Sequence, residues 1–168
     1  IATTTHLYAS ANKSPSLKIL DTRKTTPLYR EWAKKAVRDG GGYNHRMNLS
    51  DGVLIKENHI RLAGSITAAI EQIRQKEKGS IEVEVTNLEE VQEALAAGAN
   101  RLLFDNMSDE QIARVLELVP EQVVTEASGN MSVARIEALS QLEGLDFISV
   151  GALTHSAPTA DISLLFDF

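Results

Sequence analysis

A chain of 168 residues, 43% of them hydrophobic, can bury the core of one ordinary domain. It has no cysteine, which excludes disulfides, thiolate metal sites and cysteine nucleophiles and fits a cytoplasmic protein. A formal net charge of −6 argues against a broad nucleic-acid-binding surface, and no apolar run is long enough to cross a bilayer. Any anion site must therefore be a local concentration of positive charge.

Residues 1–16, opening on Ile1, read as the continuation of a longer chain. A first buried strand is expected over residues 17–21. Thr26-Pro27 should then open a helix, with Leu28, Trp32, Ala36 and Val37 on its inner face and Gly40 after its end. A second strand is expected at 53–56, followed by the helical stripe Ile66, Ala69, Ile70, Ile73, which Gly79 closes. After a third strand at 81–85, Asn87 caps the stripe Leu88, Val91, Ala94, Leu95, which ends at Gly98. A fourth strand at 101–105 precedes Ser108 to Gln111, which has the form of a capping box before Ile112, Val115, Leu116 and Val119. The fifth strand, 123–127, leads to a helix capped by Ser132 and carrying Ile136 and Leu139, and the sixth occupies 147–150.

Regular βα alternation implies an α/β protein with a mainly parallel sheet. A barrel and an open doubly wound sheet both fit that order, but no Gly-rich dinucleotide fingerprint follows the first strand, which weakens the open sheet. A complete eightfold barrel needs about 250 residues. The expected fold is therefore an incomplete or reduced parallel (βα) barrel of about six strands spanning residues 1–160, the number of apolar runs setting the strand count. Residues 161–168 resemble a further strand that leaves the barrel.

In such barrels chemistry sits at the carboxyl ends of the strands, and polar residues gather where the apolar runs stop. The first run ends in Asp21-Thr22-Arg23-Lys24-Thr25-Thr26-Pro27, and Gly40-Gly41-Gly42-Tyr43-Asn44-His45-Arg46 precedes the second. The second run passes into Lys56-Glu57-Asn58-His59. The third holds Glu82 and Glu84, the fourth ends in Asp105-Asn106, and the fifth in Ser128-Gly129-Asn130. Gly151-Ala152-Leu153-Thr154-His155 follows the sixth. Early strand ends are cationic, middle ones acidic, and late ones small, an order that suits a multiply charged anion. Arginine forks hold carboxylates and lysine adds point charge. Glu84 and Asp105 on adjacent strands can hold magnesium through its waters or steady a ribose. Small residues leave backbone N–H groups free for phosphate. Taken singly, each piece has a plainer reading: Arg23-Lys24 as a solvated turn with Asp21 as its partner, Glu84 and Asp105 as structural ion pairs, His155 as a helix cap. Their common placement at one end of successive strands is what lifts the set.

These motifs, in this order, resemble the quinolinate phosphoribosyltransferase family over nearly the whole chain. The resemblance implies transfer of phosphoribose from phosphoribosyl pyrophosphate to quinolinate with decarboxylation, giving nicotinate mononucleotide, pyrophosphate and carbon dioxide. It implies that Arg23, His45, Arg46 and Lys56 contact the quinolinate carboxylates and neighbouring phosphate, that Lys24 helps hold the donor, and that Thr22 belongs to the substrate-binding set. Glu84 and Asp105 would meet the ribose or its magnesium, making Lys56, Glu84 and Asp105 the catalytic set. Ser128, Gly129, Asn130, Gly151, Ala152, Leu153 and His155 would line the 5′-phosphate end. It further implies a homodimer, an upstream domain on which residues 161–168 pack, and an arginine borrowed from the partner. Two departures stand out: Asn130 where the family often has glycine, and Glu57 where aspartate is common. Rival readings are a Schiff-base lyase using Lys56, a non-catalytic oxyanion-binding relative on the same scaffold, and an inactive fragment.

Overall fold

The computed structural model describes residues 1–167. Its strands are the short apolar runs: β1 (Lys18–Leu20), β2 (Val53–Ile55), β3 (Ile81–Val85), β4 (Arg101–Asp105), β5 (Val124–Ser128) and β6 (Phe147–Ser149). They form one sheet in the order β1-β6-β5-β4-β3-β2, with every pairing parallel. The β1–β6 pairing curls the sheet into most of a barrel and leaves its seam between β1 and β2. Tyr43 partly fills that seam, donating its N–H to the Ile19 carbonyl at 2.8 Å and accepting from the Asp21 N–H at 3.0 Å.

The helices are α1 (Ala2–Ala11), α2 (Arg30–Asp39), α3 (Glu57–Ala63), α4 (Ile66–Arg74), α5 (Leu88–Ala96), α6 (Asp109–Leu116), α7 (Val133–Leu139) and α8 (Ala152–His155). Local chemistry explains their starts. Ser65, Asn87 and Ser132 accept the N–H three residues on, at 3.0, 2.9 and 3.1 Å. At α6 the box is reciprocal: Ser108 Oγ accepts from the Gln111 N–H, and Gln111 Oε1 accepts from the Ser108 N–H.

Strand periodicity divides the protein into two interiors. Ile81, Val83 and Val85 of β3, Leu102 and Phe104 of β4, and Ala127 and Ile148 face the helices, where they meet Ile66, Ile70, Val91, Ile112, Ile136 and Leu139. Each large member of this layer, fully buried, contributes about 1.5–3 kcal/mol. The alternate positions Glu82, Glu84, Arg101, Leu103, Asp105, Glu126 and Ser128 look into the barrel, so its interior is mostly polar, with Leu54 and Leu103 the apolar strand residues of the cavity lining.

Two expectations are corrected, the start of α2 and the face it buries. Helix α2 begins at Arg30, not at Pro27, because Leu28 has a φ of 65° that no helix accommodates. Its buried face is Ala33, Lys34 and Val37, while Leu28 and Trp32 are exposed; the helix is turned to bring Lys34 to the buried Asp21. Residues 2–11 form a helix the hydrophobic pattern did not announce, because its contacts are close-packed small groups: a Cβ on Gly40 or Gly42 would collide with Thr5. The tail expected as a strand packing on a further domain forms no strand within this sheet over residues 161–167, and Phe168 lies outside the described residues. A strand needs a neighbour to take its backbone hydrogen bonds, and no strand of this sheet pairs with the segment, whose Ile162, Leu164, Leu165 and Phe166 are exposed.

Candidate active site

At the carboxyl ends of the strands lies a cavity of about 680 Å³. Thr22, Arg23 and Lys24 enter it from the end of β1, His45 and Arg46 from the loop before β2, and Lys56 from the end of β2. Glu84 comes from β3, Asp105 from β4, Ser128, Gly129 and Asn130 from the end of β5, and Gly151, Ala152 and His155 from beyond β6. Of the expected residues, Leu153 is corrected: its side chain is fully buried in the helix–sheet core. Ala152 and His155, three apart in α8, share the face toward the cavity, which turns Leu153 the other way.

The cationic wall is built on one buried carboxylate. Asp21, fully buried, does not pair with Arg23 or Lys24 but accepts from Lys34 Nζ at 2.5 Å, Asn44 Nδ2 at 2.7 Å and the His45 N–H at 2.8 Å. Lys34 also donates to the His45 carbonyl at 2.9 Å, so the loop is held at both ends of that residue. Arg30 pins the preceding segment, donating to the Arg23 carbonyl and to Thr25 Oγ1.

Arg46 has its pKa drawn below the ordinary value by burial and then by the charge of Arg23. Two guanidinium groups held together raise each other's energy unless an anion sits between them. Arg23 Nε is itself buried without a hydrogen-bond partner. Burial and the surrounding cations lower His45 to about 4, so its imidazole is neutral at neutral pH. Nδ1 accepts from the Arg46 N–H at 2.8 Å, which places the ring proton on Nε2.

Below this wall two carboxyls share the barrel interior. Glu82 and Glu126 are buried, and His45 Nε2 lies 3.7 and 3.5 Å from them. Arg101 approaches each at 3.5 Å. Burial first, and then the charge of Glu82, raises Glu126 to about 8; burial raises Glu82 as well. At neutral pH the pair therefore keeps a proton, as two carboxyls so placed must.

On the acidic side Lys56 Nζ donates to Glu84 Oε2 at 2.5 Å. Asn106 Nδ2 donates to Asp105 Oδ2 at 2.8 Å, and Asn130 Nδ2 to Asn106 Oδ1 at 3.2 Å. Asn106 and Asn130 have φ of 55° and 47°, a conformation asparagine tolerates better than most residues. Across the cavity, Thr154 Oγ1 donates to the Lys24 carbonyl at 2.6 Å, tying α8 to the first strand end.

Two groups could be considered for a cation. His45, Glu82 and Glu126 bring their ligand atoms within 4.8 Å of one another, but Arg101 already supplies their positive charge and His45 Nε2 carries a proton. Glu84 and Asp105 are cavity-facing oxygen donors on adjacent strands, which fits an ion that keeps most of its waters.

Sequence reasoning overlooked Lys34, Glu126, Arg101 and Arg135. The parity of the strands carried the signal for two of them: Glu126 lies two residues before Ser128, and Arg101 four before Asp105, so each pair shares a face.

The family described as "Quinolinate phosphoribosyl transferase, C-terminal domain" matches residues 1–165. A Bacillus subtilis protein named "Probable nicotinate-nucleotide pyrophosphorylase (carboxylating)" is 43% identical over 166 residues, covering 98% of this chain and 57% of that protein. The chloroplastic nicotinate-nucleotide pyrophosphorylase (carboxylating) of Arabidopsis thaliana is also 43% identical, over 99% of this chain and 53% of its own length. The crystal structure of NadC from Streptococcus pyogenes superposes with a TM-score of 0.87 at 43% identity, covering 95% of this chain and 57% of that one. The chain thus spans little more than half the length of these relatives.

Proposed function

Because the chain belongs to the quinolinate phosphoribosyl transferase C-terminal domain family, we propose that it carries the catalytic centre for phosphoribosyl transfer to quinolinate with decarboxylation. The observation that carries this reading is the cationic wall: Arg23 and Arg46 stand close enough to lower Arg46, and Arg23 keeps a buried donor without an acceptor. Such an arrangement gains most from a substrate with two adjacent carboxylates, which two arginine forks can hold.

In this reading Arg23, Arg46 and Lys56 hold the quinolinate carboxylates, with neutral His45 beside them, and fix the pyridine nitrogen against the anomeric carbon. The nitrogen forms the new C–N bond as the bond to pyrophosphate breaks. The cationic pyridinium ring then takes the electron pair released when the 2-carboxylate leaves as carbon dioxide, and a proton replaces it at that carbon. Most of the acceleration comes from positioning and electrostatic stabilisation. Glu84 and Asp105 orient the ribose, or hold magnesium through its waters, and magnesium when bound neutralises the departing pyrophosphate. Thr22, Lys24, the segment Ser128–Asn130, and Gly151, Ala152 and His155 take the phosphate end of the donor. We place the protein in the cytoplasm, and assign residues 1–160 to the catalytic unit. The exposed apolar tail would pack on the part of the protein that the relatives have beyond this chain, in a homodimer.

The test is release of labelled carbon dioxide from carboxyl-labelled quinolinate with phosphoribosyl pyrophosphate and magnesium. It is run on this chain and on the chain joined to the remaining portion of a relative's length. Release supports the reading; its absence from both forms leaves the oxyanion-binding alternative standing.

A further inference from the structure

We infer that Arg135, a residue outside the cavity, is a positioning residue that aims the loop after β5 at the phosphate end of the donor. The inference rests on the proposed function and adds to it a residue that touches no substrate.

All three guanidinium nitrogens of Arg135 are engaged. Nε donates to Asp109 Oδ1 at 2.8 Å, Nη1 to the Gly129 carbonyl at 2.7 Å and Nη2 to the Met107 carbonyl at 2.6 Å. One side chain on α7 thus joins the loop after β4, the first turn of α6 and the loop after β5. The planar fork of arginine suits three acceptors in fixed directions, for which lysine's compact ammonium on a flexible stem is less well organised.

The orientation matters more than the bonding. Arg135 is not part of the cavity wall, whereas Gly129 and Asn130 are. The Gly129 carbonyl therefore points out of the cavity toward Arg135. In a planar trans peptide the N–H of the next residue points opposite to that carbonyl, so the Asn130 N–H is turned toward the cavity. A backbone donor set in this way is suited to a phosphate oxygen. Loop packing supports the same placement. Gly129 has a φ of 94°, and a side chain there would run into Asn106, so the two loops are in direct contact. The Asn106 N–H also donates to the Ser128 carbonyl at 3.0 Å. Arg135 fastens this double loop from behind.

The test measures steady-state constants of the natural full-length protein as wild type, Arg135→Met, Arg135→Lys and Ser132→Ala. Ser132→Ala removes the α7 cap without touching Gly129, and so reports general loosening of that helix. With a wild type that turns over, Arg135→Met is expected to raise KM for phosphoribosyl pyrophosphate at least tenfold and KM for quinolinate less than threefold. Arg135→Lys should fall between, and Ser132→Ala should leave both within threefold. Equal shifts for the two substrates, or the same donor-selective shift in Ser132→Ala, would overturn the inference. Should Arg135→Met not fold, Arg135→Lys decides, with a threefold donor-selective shift as the threshold. A wild type without turnover refutes the proposed function, and Arg135 is then judged by calorimetric binding of ribose 5-phosphate. There a tenfold weakening in Arg135→Met supports the positioning role, and unchanged or undetectable wild-type binding ends it.

Discussion

Replacing Lys34 by methionine tests whether one buried ion pair holds the cationic wall in place. Asp21 is fully buried and Lys34 nearly so, and the carboxylate has three donors: Lys34 Nζ, Asn44 Nδ2 and the His45 N–H. Methionine fills much of the lysine volume but removes the only one of these three donors that carries a charge. Stranding one partner of a buried pair costs about 3–5 kcal/mol. The two remaining N–H donors hold the loss near the lower end, at about 3 kcal/mol. For a domain of this size, where 1 kcal/mol shifts Tm by about 2–4 °C, that is a fall of roughly 6–12 °C. Urea unfolding followed by circular dichroism, with a thermal melt alongside, measures both in the natural full-length protein. The double variant Lys34→Met/Asp21→Asn leaves no stranded charge and should recover at least about 1 kcal/mol, since removing both partners is far less costly than removing one. A single variant that loses less than about 1 kcal/mol, the value of an ordinary hydrogen bond, would refute the reasoning.

Three other outcomes are expected. Arg46→Ala should cost about 2–4 kcal/mol of transition-state binding, the range for losing charge-assisted contacts, and a change below threefold in kcat/KM would exclude that role. Glu126 titrates near 8 in the folded protein but near 4.5 when unfolded; the folded state therefore binds more protons across that window, and stability falls as pH rises from about 4.5 to about 8. His45, lowered to about 4, acts in the opposite sense below its ordinary 6.5, costing stability as pH falls. Urea midpoints at pH 6 and 8.5 should thus converge in Glu126→Gln relative to wild type, and an unchanged gap would count against the buried proton. Ser108→Ala removes an acceptor from the reciprocal cap of α6 and should lower stability by about 1 kcal/mol, measurable in the same unfolding assay.

Residue order alone determined the strands, several helix starts and most of the cavity wall, because each depends on neighbours in the chain. Strands 81–85 and 101–105 match the apolar runs residue for residue. The caps at Asn87, Ser108 and Ser132 follow from side chains bonding three residues on. The strand-end charges reach one cavity because parallel strands all finish on the same side. Tertiary structure decided what depends on distant partners. Asp21 pairs with Lys34 rather than with the adjacent Arg23 or Lys24, because α2 turns its Lys34 face inward to the buried carboxylate. That buried face of α2 overrides the stripe through Leu28 and Trp32. The proton kept near Glu126 arises because β3 and β5, separated by β4, direct two acids into one buried interior. Arg135 serves the loops after β4 and β5 from a helix further along the chain. Local pattern records which way a side chain faces; what it meets there depends on which strand and helix the fold brings opposite.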